Sequence, residues 1–129
     1  MTGNSHSQWM HFVLIDDDPV SNMLARNIIK RHLPLAEFTE FTDPLAALIY
    51  LEKNTEKINL LLDINMPVLS GWDVLGKIEG FSQEIIDLQR VYIVSSSIDI
   101  DDRNRAAAHP LVLGYLEKPI SPAQITEHF

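Results

Sequence analysis

Four apolar runs of the chain are each followed by side chains that could take part in chemistry. An acidic triplet at 16–18 follows the first run, and Asp63 follows a later one. A serine triplet at 95–97 ends another run, and Lys118 ends the last. Carboxylates held close together repel one another unless a cation joins them, and an all-oxygen site suits Mg²⁺. With a lysine and a hydroxyl nearby, such a cluster predicts attack by a carboxylate on a phosphoryl group.

These residues are far apart along the chain. Asp63 lies 46 residues after Asp17, Ser95 lies a further 32 residues on, and Lys118 another 23. No local turn or single helix can bring them together. The chemistry therefore depends on a fold in which the ends of several strands meet.

The pattern of apolar residues predicts such a fold. Short apolar runs alternate with helical spacing and with Asp-Pro helix starts. We expect strands over 12–15, 37–41, 58–62, 91–94 and 111–116, and helices over 19–33, 44–51, 72–78, 101–108 and 121–129. An amphipathic stretch at 81–88 predicts one further helical turn. Apolar strands separated by helices imply a doubly wound α/β fold, with a parallel sheet and helices on both faces. Ligands of this fold bind beyond the carboxyl ends of the strands.

Composition narrows the class of protein. The chain has 129 residues, a formal net charge of −8 and no cysteine. The acidic surplus argues against direct nucleic-acid binding, and no apolar run reaches the length of a membrane span. The absence of cysteine excludes disulfides and thiolate metal sites and fits a cytoplasmic location. We expect a flexible lead-in over residues 1–9 and one domain over 10–129.

Over about residues 10–129 the chain resembles the receiver domain of bacterial two-component response regulators. The matching stretches are VLIDDDP at 13–19, LDINMP at 62–67, the turn at Gly71, VSS at 94–96 and GYLEKP at 114–119. The resemblance implies a flavodoxin-like five-stranded parallel sheet with strand order 2-1-3-4-5. It also implies a single signalling domain, similar to chemotaxis regulators, whose only chemistry is its own phosphorylation and dephosphorylation.

The resemblance implies roles for the acids. Asp63 is expected to be the phosphoacceptor. Asp17 and Asp63 are expected to bind Mg²⁺ directly, together with the main-chain carbonyl of Asn65, while Asp16 acts through water. The expected phosphodonor is a histidine kinase or a histidine phosphotransfer protein. The downstream protein target is not indicated by the sequence.

The remaining site residues are implied in the same way. Lys118 and Ser96 are expected near the phosphoryl group, and the bond from Lys118 to Pro119 is expected to be cis. Ser95 takes the position of the switch hydroxyl. Tyr115 matches the aromatic residue that turns inward when Ser95 is drawn to the phosphoryl group. Phosphorylation would thereby bias an existing equilibrium between two conformations.

Two other interpretations remain open. Residues 16–20 also resemble the D-x-D-x-[T/V] motif of haloacid-dehalogenase-type phosphatases, with Asp16 as nucleophile and Asp18 as acid/base. That family needs an acidic pair after its lysine, and only Glu127 follows Lys118 here. In the other interpretation, the receiver fold serves only as an unphosphorylated binding module.

Overall fold

The computed structural model describes residues 9–129, which form a five-stranded parallel sheet. The strand order is β2-β1-β3-β4-β5, so the order expected from the resemblance is confirmed. The strands are β1 (His11–Ile15), β2 (Glu37–Phe41), β3 (Ile58–Asp63), β4 (Gln89–Ser95) and β5 (Val112–Glu117). All five predicted strands are present, β2 with the predicted bounds and the others with shifts of at most two residues at their ends.

Helices follow the strands along the chain. They are α1 (Pro19–His32), α2 (Pro44–Glu52), α3 (Gly71–Ile78), α4 (Gln83–Asp87), α5 (Ile100–Ala108) and α6 (Pro122–His128). The five predicted helices are present. The predicted helical turn at 81–88 is a separate short helix, α4, so the described residues form six helices rather than five.

The sheet has a hydrophobic core on each face. Alternate residues of β1 show the division, because Phe12 and Leu14 face one core whereas Val13 and Ile15 face the other. The first core includes residues of α1 and α6, and the second includes residues of α2, α3 and α5. Helices therefore cover both faces, as a doubly wound fold requires.

Two aspartates fix where the first two helices begin. The Asp18 carboxylate accepts a hydrogen bond from the Val20 N–H at 2.9 Å, and Asp43 accepts one from the Leu45 N–H at 3.0 Å. A proline occupies the first helical position in each case, where its missing N–H is harmless. Both helices therefore start just beyond the carboxyl edge of the sheet.

The start of the described chain is attached to the opposite edge. The carbonyl of Trp9 accepts a hydrogen bond from Asn59 Nδ2 at 2.7 Å, and the Arg90 guanidinium lies 4.0 Å from the Trp9 ring centroid. The sequence placed Trp9 at the end of a flexible lead-in, but it contacts β3 and β4. Residues 1–8 lie outside the described part. No helix within 9–129 is both long and apolar enough to cross a membrane.

Candidate functional site

The carboxyl ends of β1, β3, β4 and β5 bring together the residues that the sequence singled out. Asp63 is the last residue of β3 and Ser95 the last of β4. The Asp16 N–H donates to the Phe41 carbonyl at 3.1 Å, which holds the end of β1 against β2. The Lys118 N–H donates to the Ser95 carbonyl at 3.0 Å, which ties the end of β5 to β4. Parallel pairing thus gathers groups that are more than a hundred residues apart.

Three carboxylates form the centre of this edge. Asp16, Asp17 and Asp63 each offer an oxygen, and these oxygens lie within 4.8 Å of one another. Asp16 and Asp63 are buried, whereas Asp17 is exposed. The ammonium of Lys118 forms an ion pair with Asp16 and lies 3.5 Å from Asp63 Oδ1. The spatial convergence that the sequence predicted is therefore present.

The surroundings of Asp63 perturb its protonation. Burial is the largest effect and raises the pKa of the Asp63 carboxyl above its ordinary value, and the nearby Asp16 charge raises it further. The Lys118 charge and the N–H of Asn65, which donates to the carboxylate, act in the opposite direction. The pKa is raised on balance, so the attraction of Lys118 does not fully offset the effects of burial and of the Asp16 charge on this pKa.

A cavity of about 670 Å³ opens beside the carboxylates. Asp16, Asp63, Ser96 and Lys118 line its polar end. Its other wall is apolar and comes from α1 and from the segment after β5: Val20, Leu24, Ala25, Ile28, Pro119 and Ile120. The Lys118–Pro119 peptide bond is cis, the isomer that the resemblance implied. The site is thus open to an incoming group on a side that is largely hydrophobic.

Asn22 supports the acidic loop and was not singled out from the sequence. Its side chain is buried, and its Nδ2 donates to the carbonyls of Asp16 at 3.3 Å and of Phe41 at 3.1 Å. The Asp16 carboxylate in turn accepts from the Asp18 N–H at 2.9 Å. A polar residue on the first turn of a helix was the only available signal. Its partners are the carbonyl just after β1 and the last carbonyl of β2, which residue spacing does not reveal.

Gly71 lies against the backbone that carries Asp63. A Cβ at this position would stand 2.6 Å from the Asp63 carbonyl oxygen and 2.8 Å from Ile64 Cα. The Gly71 N–H donates to the Ile64 carbonyl at 3.1 Å. The close approach explains why α3 begins with glycine, because any side chain here would push against the backbone of Asp63 and Ile64.

The loop after β4 links Ser95 to Tyr115 through Ser97. Ser95 is fully buried, and its Oγ accepts a hydrogen bond from the Ser97 N–H at 3.0 Å. The Tyr115 hydroxyl donates to the Ser97 carbonyl at 3.1 Å. Ser97 Oγ donates to Asp102 Oδ2 at 2.9 Å, which attaches the loop to the first turn of α5. The sequence included Ser97 in the serine triplet but gave it no role, and it did not single out Asp102.

The Tyr115 ring is half-buried. The Arg103 guanidinium lies 4.8 Å from its centroid and pairs with Glu117, so Arg103 joins α5 to β5 beside the ring. Of the three serines, Ser96 lines the acidic cavity, whereas the buried Ser95 is bonded within its own loop. The structure therefore gives Ser95 and Ser96 different surroundings, a difference that the run of three serines does not encode.

Comparisons with known proteins agree with this geometry. The family model for the response regulator receiver domain matches residues 12–129. The cyclic di-GMP phosphodiesterase response regulator RpfG of Xanthomonas campestris is 27% identical over 117 residues, which cover 90% of this chain and 30% of RpfG. This chain spans about 30% of the length of the curated relatives that it matches. The phosphatase alternative finds no support in these matches.

Solved structures show the same architecture. A two-component response regulator from Cytophaga hutchinsonii is 28% identical with a TM-score of 0.80, and the match covers 91% of each chain. A response regulator receiver protein from Dyadobacter fermentans is 21% identical with a TM-score of 0.83, covering 92% of this chain and 93% of that one. The second similarity concerns the fold alone.

Proposed function

Since the chain belongs to the response regulator receiver domain family, we propose that it is a phosphoacceptor in which Asp63 takes a phosphoryl group from a protein phosphohistidine. A receiver domain is a signalling domain of two-component systems, and this much follows from the family. The proposal about Asp63 rests on one observation. Asp63 is a buried carboxylate beside two other acids, and the Lys118 ammonium lies 3.5 Å from it.

The transfer is a displacement at phosphorus. An oxygen of the Asp63 carboxylate attacks, a P–O bond forms, and the P–N bond to the donor imidazole breaks. The nucleophile must be ionised, and Lys118 favours that form against the effect of burial on the pKa of Asp63. Lys118 also offers a positive charge to the phosphoryl oxygens, which carry the negative charge of the transition state.

The donor set fits Mg²⁺. All ligand atoms of the cluster are carboxylate oxygens, which is the chemistry that hard divalent cations prefer. We assign Asp17, Asp63 and the carbonyl of Asn65 as direct ligands, with Asp16 acting through water. When bound, the cation neutralises charge on the phosphoryl group. Asp17 is exposed, so one side of this site stays open to the donor.

The loop after β4 offers a route for signalling. Ser95 Oγ accepts from the Ser97 N–H, and the Ser97 carbonyl accepts from Tyr115. If the Ser95 hydroxyl turns toward a phosphoryl group on Asp63, its bond to Ser97 is lost and the loop is free to shift. Tyr115 and the start of α5 would then move with Ser97. Phosphorylation in this way shifts a pre-existing equilibrium rather than forming a new structure.

The apolar wall of the cavity favours a protein donor. Val20 and Leu24 on α1 are 54% and 55% exposed and lie beside the acidic site. A phosphodonor that approaches Asp63 from this side would bury these side chains. A small acyl phosphate offers little apolar surface for them to pack against, whereas a histidine kinase or phosphotransfer protein is large enough to offer an apolar face. We therefore assign this surface to the histidine-containing partner.

The test is phosphorylation of the protein with a small acyl phosphate in the presence of Mg²⁺. We expect one added phosphoryl group by intact mass, and we expect borohydride trapping to place it on Asp63. Asp63→Asn should abolish labelling, whereas Asp87→Asn, an exposed acid on α4, should leave it unchanged. Chelation of Mg²⁺ should prevent labelling of both the native protein and the control.

Other outcomes identify the alternatives. Label on Asp16, with turnover of phosphomonoesters, would support the phosphatase interpretation. If neither acyl phosphates nor phosphorylated histidine proteins label the chain, the domain is an unphosphorylated binding module and the proposal is wrong.

A further inference from the structure

Helix α2 is apolar on all sides, although one face is open to solvent. Pro44, Ala47 and Leu51 are buried against the sheet, whereas Leu45 and Ile49 are 51% and 62% exposed. The helix has a single charged residue over its nine positions. Helices with apolar residues all round are normally covered on all sides. Within residues 9–129, nothing covers the outer face of α2.

The exposed face has the shape of a ridge between two grooves. Leu45 and Ile49 lie one turn apart and form the ridge. Ile49 is also a wall of two neighbouring grooves, of about 420 Å³ and about 310 Å³. Phe41 and Tyr50, whose ring centroids are 5.3 Å apart, line the larger groove. Helices pack by inserting such ridges into neighbouring grooves, so this surface is complementary to another helix of the same kind.

The charges around the ridge match a second copy. The grooves are rimmed by two acids and two lysines, although the chain as a whole carries a net charge of −8. These rim residues are Glu52, Lys53, Glu56 and Lys77. Glu56 and Lys53 lie on the rim of the larger groove, and Glu52 and Lys77 lie on the rim of the smaller one. Each groove therefore has one acid and one lysine, so a second copy placed on the ridge meets charges of both signs and no net charge.

We propose that the α2 surface is a contact between two copies of this chain, packed with their α2 helices antiparallel across a two-fold axis. The Leu45–Ile49 ridge of each copy lies in the groove beside Tyr50 of the other. The charge-balanced rim removes the repulsion that two acidic molecules otherwise experience on approach. A two-fold contact uses the same surface of both copies, so that surface must have both a ridge and a groove. The α2 surface has both.

The contact is expected to be weak. Nine helical residues span only about 14 Å, so the interface is at the small end of the range for specific complexes. We therefore expect the dimer to form only at high protein concentration. The self-association does not depend on phosphorylation of Asp63, because α2 starts beyond the acidic cluster and none of its residues lines that cavity.

Sedimentation velocity over a micromolar to millimolar range measures the association. We expect the native chain to sediment progressively faster as its concentration rises. Ile49→Lys should raise the dissociation constant at least about tenfold, because it replaces the ridge residue that lines both grooves with a charged side chain. Leu113→Lys places the same change on an equally exposed leucine of β5 and should have no effect. Circular dichroism checks that both variants are folded.

A second measurement does not disturb the ridge. The chain has no cysteine, so Ala46→Cys gives one thiol beside the groove. A short bismaleimide should crosslink this variant into dimers, whereas Ala107→Cys, on an exposed position of α5, should remain monomeric. The proposal is overturned if the native chain stays monomeric at millimolar concentration. It is also overturned if Ile49→Lys leaves the dissociation constant unchanged, which would place the contact on another surface.

Discussion

Replacement of Lys118 tests how the fold tolerates two buried carboxylates side by side. Lys118→Met keeps the length and apolar stem of the side chain but removes its charge. The ammonium lies 3.5 Å from Asp63 Oδ1 and also pairs with Asp16. At an effective dielectric constant of about 20, the Coulomb attraction between two opposite unit charges 3.5 Å apart is about 5 kcal/mol. Protonation of a carboxylate limits the loss, so we expect the free energy of unfolding to fall by about 2–4 kcal/mol without divalent cations.

The loss should depend on pH with a definite sign. The pKa of Asp63 is already raised by burial, and loss of the lysine raises it further. The folded variant then holds a proton that the unfolded chain releases, so its stability rises as pH falls. Lys118→Met should therefore be far less stable than the native protein at about pH 8 and closer to it at about pH 5.

Urea unfolding in EDTA at the two pH values measures both effects. Lys77→Met, on an exposed position of α3, is the matched control and should change stability by less than about 0.5 kcal/mol. Equal losses at both pH values would mean that Lys118 acts through packing. No loss at either value would show that the acids are not held close enough to interact, which would refute the electrostatic account of the site.

Three further predictions concern the same edge of the sheet. Asp63→Asn should raise the free energy of unfolding at neutral pH by about 0.5–2 kcal/mol in urea titrations. The reason is that it removes a carboxylate whose charge is disfavoured by burial, as its raised pKa indicates. Gly71→Ala should cost about 1–3 kcal/mol and lower the melting temperature, because the new Cβ would stand 2.6 Å from the Asp63 carbonyl oxygen. Tyr115→Phe should accelerate amide hydrogen exchange around Ser97 while stability changes by about 1 kcal/mol, because only one hydrogen bond is lost.

Much of the fold and of the acidic site was predictable from sequence. The strands are short and almost wholly apolar, so their positions were clear, and alternation with helices required parallel pairing. The parallel arrangement then placed Asp63 and Lys118 at one edge. That step needed no knowledge of side-chain conformation, because the carboxyl ends of parallel strands share an edge of the sheet.

The features that were missed depend on local geometry. Ser97 acts through its backbone carbonyl, and nothing in residue type shows which carbonyl a tyrosine will reach. Leu45, Ile49 and Leu51 are all apolar residues of the predicted helix at 44–51, but the first two are exposed and only the third is buried. An apolar helix has no polar side to show its orientation, so its packed face is decided by the neighbouring strands and helices.

Phosphorylation would change the balance of charge at this edge. A phosphoryl group on Asp63 carries a charge of about −1.5 to −2 next to Asp16 and Asp17. Lys118 is already paired with Asp16, so it cannot approach the new phosphoryl oxygens without weakening that contact. A phosphorylated state would therefore need a divalent cation more than the unphosphorylated state does. By linkage, phosphorylation should tighten Mg²⁺ binding by the same factor that Mg²⁺ favours phosphorylation.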